Sequence, residues 1–278
     1  MFKVPPPIQR IFDSVPLTKY KSNQEDTLPG KLYSFSLKAP SEPLILGVYN
    51  TFEYGNFVLP TDPISLFTLI ILAKKNGFGL PNVQGKTTSG ITRIPFRGSP
   101  SNALPILISD GSIRTIENSE QIEKKIALNN IKLEKLLMIS EFIDTVLFDS
   151  WIACLLVDDI QPQTFYQLFG IDNELELFEL KKQIPEWNNF SVRHSSLFGY
   201  FNNQYLHTFY ASQCGALEDA INQLKHYLST SDPEQTIIKY KVAAFVITFD
   251  QFLKDTQMGQ ILSRFPEVIT KSYAVLDS

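Results

Sequence analysis

The spacing of apolar residues along this chain of 278 residues changes near residue 130. Before that point, short apolar runs bounded by Gly, Pro, Asn and Asp are typical of strands, whereas after it apolar residues recur every three or four positions, as in helices. Strands are predicted at residues 44–50, 91–96, 105–109 and 112–116. Later helices are predicted at residues 131–157, 162–182, 197–229, 232–254 and 259–271. The chain is therefore expected to combine a sheet-containing part with a helical part.

A buried helix is predicted between the first two strands. Asp62 can cap its N-terminus, Pro63 suits the first helical position, and Gly77 can take the left-handed conformation that ends a helix. Apolar residues between these ends cover nearly the whole circumference, so little of the helix is expected to face solvent. The strand, the helix and the next strand form one βαβ unit.

A hairpin that leads into a helix is predicted next. The Asp110-Gly111 pair between two short apolar runs favours a tight turn, and Asn118 with Gln121 three positions later is typical of a capping box. The order βαβ and then ββα is that of a thioredoxin-like domain, and a helical part after it gives the architecture of glutathione transferases. The fold class is predicted as α/β plus all-α, with an N-terminal arm and linker at residues 1–43, a thioredoxin-like domain at 44–129 and an all-helical domain at 130–278.

The N-terminal arm contains one short amphipathic segment. Apolar residues recur at helical spacing just after Pro5-Pro6-Pro7. The segment either folds back onto the protein's own core or docks on another protein, and both interpretations stay open. A docking role would fall on Ile8, Arg10, Ile11, Phe12 and Val15. The following residues, 21–43, are expected to be a loose connection.

Composition and charge argue against two classes of function. The net charge of −4 and the pI near 5.5, without a dense Lys/Arg block, give no electrostatic footprint for nucleic acid. The apolar windows at residues 64–73 and 142–157 are too short or too charged to span a bilayer. The N-terminus also lacks the features of a cleaved presequence. Neither nucleic-acid binding nor a transmembrane segment is expected.

The cysteines and histidines show no spacing typical of a metal or cofactor site. Cys154 and Cys214 lie far apart, and neither belongs to a Cys-x-x-Cys pair. The three histidines lack the close partner spacing of metal ligands. The cysteines are expected to be reduced, structural thiols, and no metal or cofactor is predicted.

Glutathione chemistry is the enzyme hypothesis that the residues support best. Transferases lower the pKa of a bound thiol with a hydroxyl at the end of the first strand or the start of the first helix. Tyr49 and Thr61 lie at about these positions. The alternative, which we favour, is that Tyr49 is a strand aromatic residue and Thr61 belongs to the helix cap.

The segment from residue 104 to residue 119 resembles the part of a glutathione transferase in which a cis-proline strand leads to an acid-serine pair. Carried over by position, Pro105 would be the cis-proline and Ser119 the serine. Asn118 replaces the acid. An amide cannot make a charge-assisted contact with an ammonium group, and such contacts are about twice as strong as neutral hydrogen bonds. Glutathione is therefore expected to bind poorly.

A more specific resemblance extends over residues 5–152. The blocks PPPIQRIFDSVPL, LGVYNTF, TDPISLFTLIILAKKNGFGLP, NALPILI and FIDTVLFDSWI resemble the fungal metaxin-like subunit of the mitochondrial sorting and assembly machinery. The resemblance implies a non-catalytic, peripheral protein on the cytosolic face of the mitochondrial outer membrane. It further implies binding to a membrane-embedded β-barrel channel subunit and to a second metaxin-like subunit, and a part in receiving the C-terminal sorting signal of β-barrel precursors.

Three functional hypotheses follow. The first is this accessory subunit, in which a sheet edge or extended groove would accept a precursor strand through main-chain hydrogen bonds. The second is a glutathione-dependent transferase that uses Tyr49. The third is a dimerisation module of some other cytosolic assembly.

Overall fold

The structure is a computed structural model, and it describes the chain in nine ranges. These are residues 31–36, 43–84, 88–98, 103–110, 114–118, 121–122, 134–199, 203–232 and 235–277. The predicted amphipathic segment at residues 8–15 lies outside the described residues, as do Gly111 and Ser119.

The order of the strands in the main sheet identifies the fold class. The described strands are β1 (Leu32–Ser34), β2 (Leu44–Val48), β3 (Thr51–Tyr54), β4 (Phe57–Pro60), β5 (Gly90–Arg93), β6 (Ile106–Asp110) and β7 (Arg114–Asn118). The main sheet has the order β1-β5-β2-β6-β7, with β2 parallel to β5 and antiparallel to β6, and β6 antiparallel to β7. This arrangement of β5, β2, β6 and β7 is that of a thioredoxin-like sheet. The predicted fold class is confirmed.

Two features of the sheet part were not predicted. The prediction of a loose connection over residues 21–43 is wrong at Leu32–Ser34, because β1 pairs antiparallel with β5. A strand of three residues is too short to show a period in sequence. A hairpin of β3 and β4, with Gly55 at φ +57° in its turn, also stands between β2 and the first helix.

Helix α1 (Pro63–Asn76) has the ends that were predicted for it. The Asp62 carboxylate accepts the Ser65 N–H at 2.8 Å, and Gly77 adopts φ +68°. Ten residues of the helix are buried, which confirms that the helix is covered on nearly all sides. It contacts strand β4 and the helix Thr236–Phe252 of the helical part.

The predicted hairpin and capping box are both present. Strands β6 and β7 pair in register, with Ile108 opposite Ile116. The Asn118 side chain accepts the Gln121 N–H at 2.9 Å, while the Asn118 N–H donates to Gln121 Oε1 at 3.0 Å. The peptide bond before Pro105 is cis, the state that the resemblance implies.

The helical part is more divided than predicted. Its described helices are α2 (Glu134–Val157), α3 (Pro162–Phe169), α4 (Glu174–Gln183), α5 (Phe190–Arg193), α6 (Ser195–Gly199), α7 (Asn203–Leu224), α8 (Thr236–Phe252), α9 (Gln257–Leu262) and α10 (Pro266–Asp277). The single helix predicted over residues 162–182 is wrong, because Gly170 at φ +61° ends α3 and Asn173 caps α4. The helix predicted at 259–271 is likewise two helices, separated before Pro266.

One hydrophobic cluster of buried residues extends through both parts. It includes Ile70 on α1, Trp151 on α2 and Phe245 on α8. The sheet part and the helical part therefore share a core, and residues at their junction are held from both sides. Among the described residues, no helix has the length and apolar character needed to cross a membrane.

Candidate functional site

Tyr49, the residue that could activate a thiol, follows β2 at the junction of the two parts. Its hydroxyl is buried and accepts the Leu104 N–H at 3.1 Å. Burial raises the pKa of Tyr49 well above its ordinary value, with a further contribution from the nearby Asp62 carboxylate. A raised pKa favours the neutral phenol. The environment of Tyr49 thus opposes the formation of a phenolate. The Tyr49 hydroxyl serves instead as the acceptor for the buried Leu104 N–H.

Thr61, the second candidate hydroxyl, connects the sheet part to the helical part. Its hydroxyl donates to the Leu168 carbonyl, and the Asn50 amide donates to the Gln167 carbonyl at 2.6 Å. Both carbonyls belong to the last turn of α3, where carbonyl groups have no partner within the helix. Thr61 and Asn50 therefore cap the end of α3 from the other part of the molecule.

Aromatic rings from the helical part pack around Tyr49. The ring of Phe169 lies edge-on at 5.4 Å between centroids, and that of Trp187 lies at 5.6 Å. Trp151 in turn stacks on Trp187 at 6.1 Å between centroids. These residues are all buried. The protein's own core therefore fills the space beside Tyr49 in which a transferase would hold its substrate.

The other two positions of the predicted ligand segment also have structural partners. Pro105 follows Leu104, whose N–H is bonded to Tyr49. The side chain of Asn118 is engaged with Gln121 in the capping box. The structure therefore brings Tyr49 and Pro105 close together, while the Asn118 side chain bonds to Gln121, where residues 121–122 are helical.

The cysteines do not form a reactive pair. Cys154 and Cys214 are both free. Burial raises the pKa of Cys154 to about 12 and also raises that of Cys214. Their thiolate forms are disfavoured, as expected for structural thiols.

Residues 2–109 match the family described as SAM35, subunit of the SAM complex. We call this matched segment, residues 2–109, the SAM35 domain. The chain is also 28% identical over 291 residues to the sorting assembly machinery 35 kDa subunit of Saccharomyces cerevisiae, an alignment that covers 88% of each chain. The resemblance predicted from the sequence is confirmed.

Solved structures give a weaker likeness. Apo glutathione S-transferase III has a TM-score of 0.45 at 13% identity and covers 85% of this chain and 92% of its own. Glutathione transferase F2 from Populus trichocarpa has a TM-score of 0.36 at 11% identity, with 84% and 99% covered. The order of the strands, and not these scores, assigns the fold.

The SAM35 domain contains most of the residues discussed above. It begins upstream of β1 and ends within β6, so that Tyr49, Thr61 and Pro105 lie inside it and Asn118 lies outside. The contacts that fill the space beside Tyr49 come from helices beyond the SAM35 domain, through Phe169 and Trp187. Residues of both parts of the chain therefore pack together in one core.

Asp62, at the start of α1 in the SAM35 domain, is a buried carboxyl group. It is 2% exposed, and its Oδ2 has no hydrogen-bond partner among the described residues. Burial raises the pKa of Asp62 to about 6, and the hydrogen bonds from Ser65 only partly oppose this rise. The sequence predicted the cap but gave no sign of the altered pKa, since the rise depends on distant residues that cover the site.

We expect the Asp62→Asn variant to be more stable than the wild type above pH 6. The folded-state pKa lies above the unfolded one, so the wild type loses stability as pH rises from about 4 to about 6, by about 3 kcal/mol. Asparagine keeps the capping oxygen for the Ser65 N–H and does not titrate. Urea unfolding of both proteins between pH 4 and pH 8 would show the difference appear across this window. A difference that does not change with pH would contradict the prediction.

The helical part contains two ionic clusters that the sequence pattern did not predict. Lys241 is 1% exposed, and its ammonium donates to Asp144 at 2.6 Å and to Ser140 at 2.8 Å. Asp149, also buried, accepts from Arg193 and lies 2.7 Å from His194 Nε2. The pairs join residues that are far apart in sequence, so no local pattern marks them. Both clusters fix other segments onto α2.

Proposed function

We propose that this chain is a non-catalytic subunit of the mitochondrial outer-membrane β-barrel insertion machinery. It acts in sorting and assembly, binds the cytosolic side of the barrel channel, and helps to receive the sorting signal of β-barrel precursors. The SAM35 domain over residues 2–109 carries this proposal. The relative in Saccharomyces cerevisiae, whose alignment covers 88% of this chain, supports it for the helical part as well.

The contacts at Tyr49 and Thr61 support a role without catalysis. A thiol-activating hydroxyl must reach the substrate and stabilise a thiolate. Here the Tyr49 hydroxyl accepts a backbone N–H, and the Thr61 hydroxyl donates to a carbonyl of α3. The alternative of a glutathione-dependent transferase would require Tyr49 to leave the aromatic cluster. Retention on immobilised glutathione and turnover that is lost in the Tyr49→Phe variant would favour that alternative.

The N-terminal arm is the part of the chain that we propose to dock on a partner subunit. The docking residues would be Ile8, Arg10, Ile11, Phe12 and Val15. Support comes from the family match, which begins at residue 2 and so includes the arm within the shared pattern. The partners would be the membrane-embedded channel subunit and a second metaxin-like subunit.

Affinity purification tests both the proposed complex and the docking arm. The tagged full chain is expected to recover the channel subunit from detergent-solubilised mitochondrial outer membranes, and a chain that lacks residues 1–20 is expected to recover several-fold less. A Ser14→Ala variant in the same arm serves as the matched control and should behave as the full chain. Full recovery by the truncated chain would refute the docking arm, and no recovery by the full chain would refute the complex.

A further inference from the structure

The two edges of the main sheet differ in how they are covered. At the β1 edge, the Asn82 N–H donates to the Ser34 carbonyl at 3.2 Å, and Phe35 forms a bridge with Pro81. The Pro81 carbonyl in turn accepts the Val58 N–H of β4 at 2.8 Å. Main-chain bonds therefore continue beyond the Ser34 end of β1 into the β3–β4 hairpin, and this end of the edge is covered.

The opposite edge of the sheet is β7. Which of its main-chain N–H and C=O groups point outward follows from the alternation of these groups from residue to residue along each strand. The Ile94 N–H donates to the Val48 carbonyl at 2.8 Å, so the main-chain groups of Val48 face β5. Successive residues alternate sides, and those of Gly47 therefore face β6, where Gly47 stands opposite Ile106. The main-chain groups of Ile106 consequently face β2 and point away from β7.

The same alternation fixes which groups of β7 point outward. Ile106 stands opposite Asn118, and Ile108 stands opposite Ile116, so neither pair exchanges main-chain bonds. The Asn118 N–H donates to Gln121 Oε1 and not to β6, which agrees with this assignment. The N–H and C=O of Ile116 therefore point out of the sheet. Within the described part of the chain, no main-chain group pairs with them there.

The side chains define what kind of strand would fit beside β7. Residues in register lie on the same face of a sheet, and Ile45, Ile108 and Ile116 form such an apolar row across β2, β6 and β7. Ile108 is 5% exposed, whereas Ile116 at the end of the row is 50% exposed. An added strand with an apolar side chain at the next position would continue the row and cover Ile116.

We propose that β7 (Arg114–Asn118) is the edge at which an extended segment of a β-barrel precursor adds to the sheet. Main-chain hydrogen bonds to Ile116 hold the segment, and an apolar side chain of the segment packs beside Ile116. Strands of membrane barrels alternate apolar and polar residues, which supplies an apolar residue on that face. The choice of occupant rests on the proposed function. The location and the type of bonding rest on the sheet alone.

The peptide side of the proposal is tested with backbone methylation. The probe is a fluorescein-labelled peptide with the sequence of the C-terminal strand of a β-barrel precursor, titrated against the full chain. N-methylation of one alternate set of its amides removes the hydrogens that face β7 and is expected to weaken binding by about tenfold or more. Methylation of the other set serves as the matched control and should leave binding nearly unchanged. Equal effects of both sets would overturn strand addition.

The protein side is tested at Ile116. Proline at this position removes only the N–H that points outward, so the ladder to β6 is kept while the added strand loses a donor. Ile116→Pro is expected to weaken peptide binding by about tenfold, whereas Ile116→Thr, which keeps the N–H and the branched β-carbon, is expected to retain most of it. Thermal unfolding shows whether each variant folds. If Ile116→Pro does not fold, the methylated peptides decide.

The outcomes separate this inference from the proposed function. If the chain recovers the channel but binds the peptide independently of Ile116 and of the methylation pattern, the inference fails and the proposed function stands. If the peptide binds through β7 but no channel is recovered, the edge is supported and the proposed function fails. A dimer of this chain that dissociates in the Ile116→Pro variant would show that a second copy occupies the edge, and would overturn the precursor as occupant.

Discussion

Replacement of Asp144 by alanine is expected to lower the free energy of unfolding by about 3–5 kcal/mol. Asp144 accepts a hydrogen bond from Lys241, whose side chain is 1% exposed and also lies over the Phe67 ring at 5.3 Å. The substitution removes the carboxylate that lies 2.6 Å from the buried ammonium group, while the neutral Ser140 hydroxyl at 2.8 Å remains. Urea unfolding followed by circular dichroism measures the loss.

The Lys241→Met variant and the double variant are the controls for this prediction. Methionine removes the charge at similar length, and the Asp144 side chain, 22% exposed, can still be hydrated. Lys241→Met should therefore cost less than Asp144→Ala, and the double variant should be more stable than Asp144→Ala alone. Additive losses in the double variant would show that the two side chains do not interact as the structure indicates.

Truncation of Trp151 to alanine is expected to cost about 3–5 kcal/mol. Trp151 is 1% exposed and packs on Phe148, Phe169 and Trp187. Its loss leaves a cavity next to the rings that surround Tyr49. Phe169 and Trp187, on which Trp151 packs, also contact Tyr49 of the SAM35 domain. We therefore expect the whole chain to unfold in one transition at a lower denaturant concentration.

Trp151→Phe is the matched control for the cavity. The Trp151 Nε1 is buried without a hydrogen-bond partner among the described residues, so phenylalanine sacrifices no hydrogen bond. The phenylalanine variant should lose clearly less stability than the alanine variant, because most of the ring volume remains. Equal losses would mean that the ring volume kept by phenylalanine does not stabilise the core, which would contradict the cavity argument.

Local signals explain which parts of the fold could be predicted from sequence. Asp62 and Gly77 delimit α1 because capping depends on residues within one turn of the helix ends. The capping box at Asn118 is equally local. In contrast, β1 is defined only by its pairing with β5, and the end of α3 at Gly170 was hidden within a continuous helical period. Boundaries set by distant contacts could not be read from the pattern.

The candidate site shows the same difference between local signals and distant contacts. The sequence placed Tyr49 and Thr61 where an activating hydroxyl would lie, and left a catalytic and a structural interpretation open. The structure favours the latter through partners that are 55 and 107 positions away, the Leu104 N–H and the Leu168 carbonyl. Aromatic residues from the helical part then fill the remaining space. No spacing rule connects these segments before the chain folds.

The proposed function requires that this chain assists β-barrel assembly without chemistry of its own. The most direct measurement is the assembly of a radiolabelled β-barrel precursor in mitochondria depleted of the chain and then supplied with wild type or with Tyr49→Phe. We expect depletion to slow assembly, and both proteins to restore it equally for equal amounts of folded protein. Assembly that is unaffected by depletion, or a folded Tyr49→Phe variant that fails to restore it, would contradict the claim.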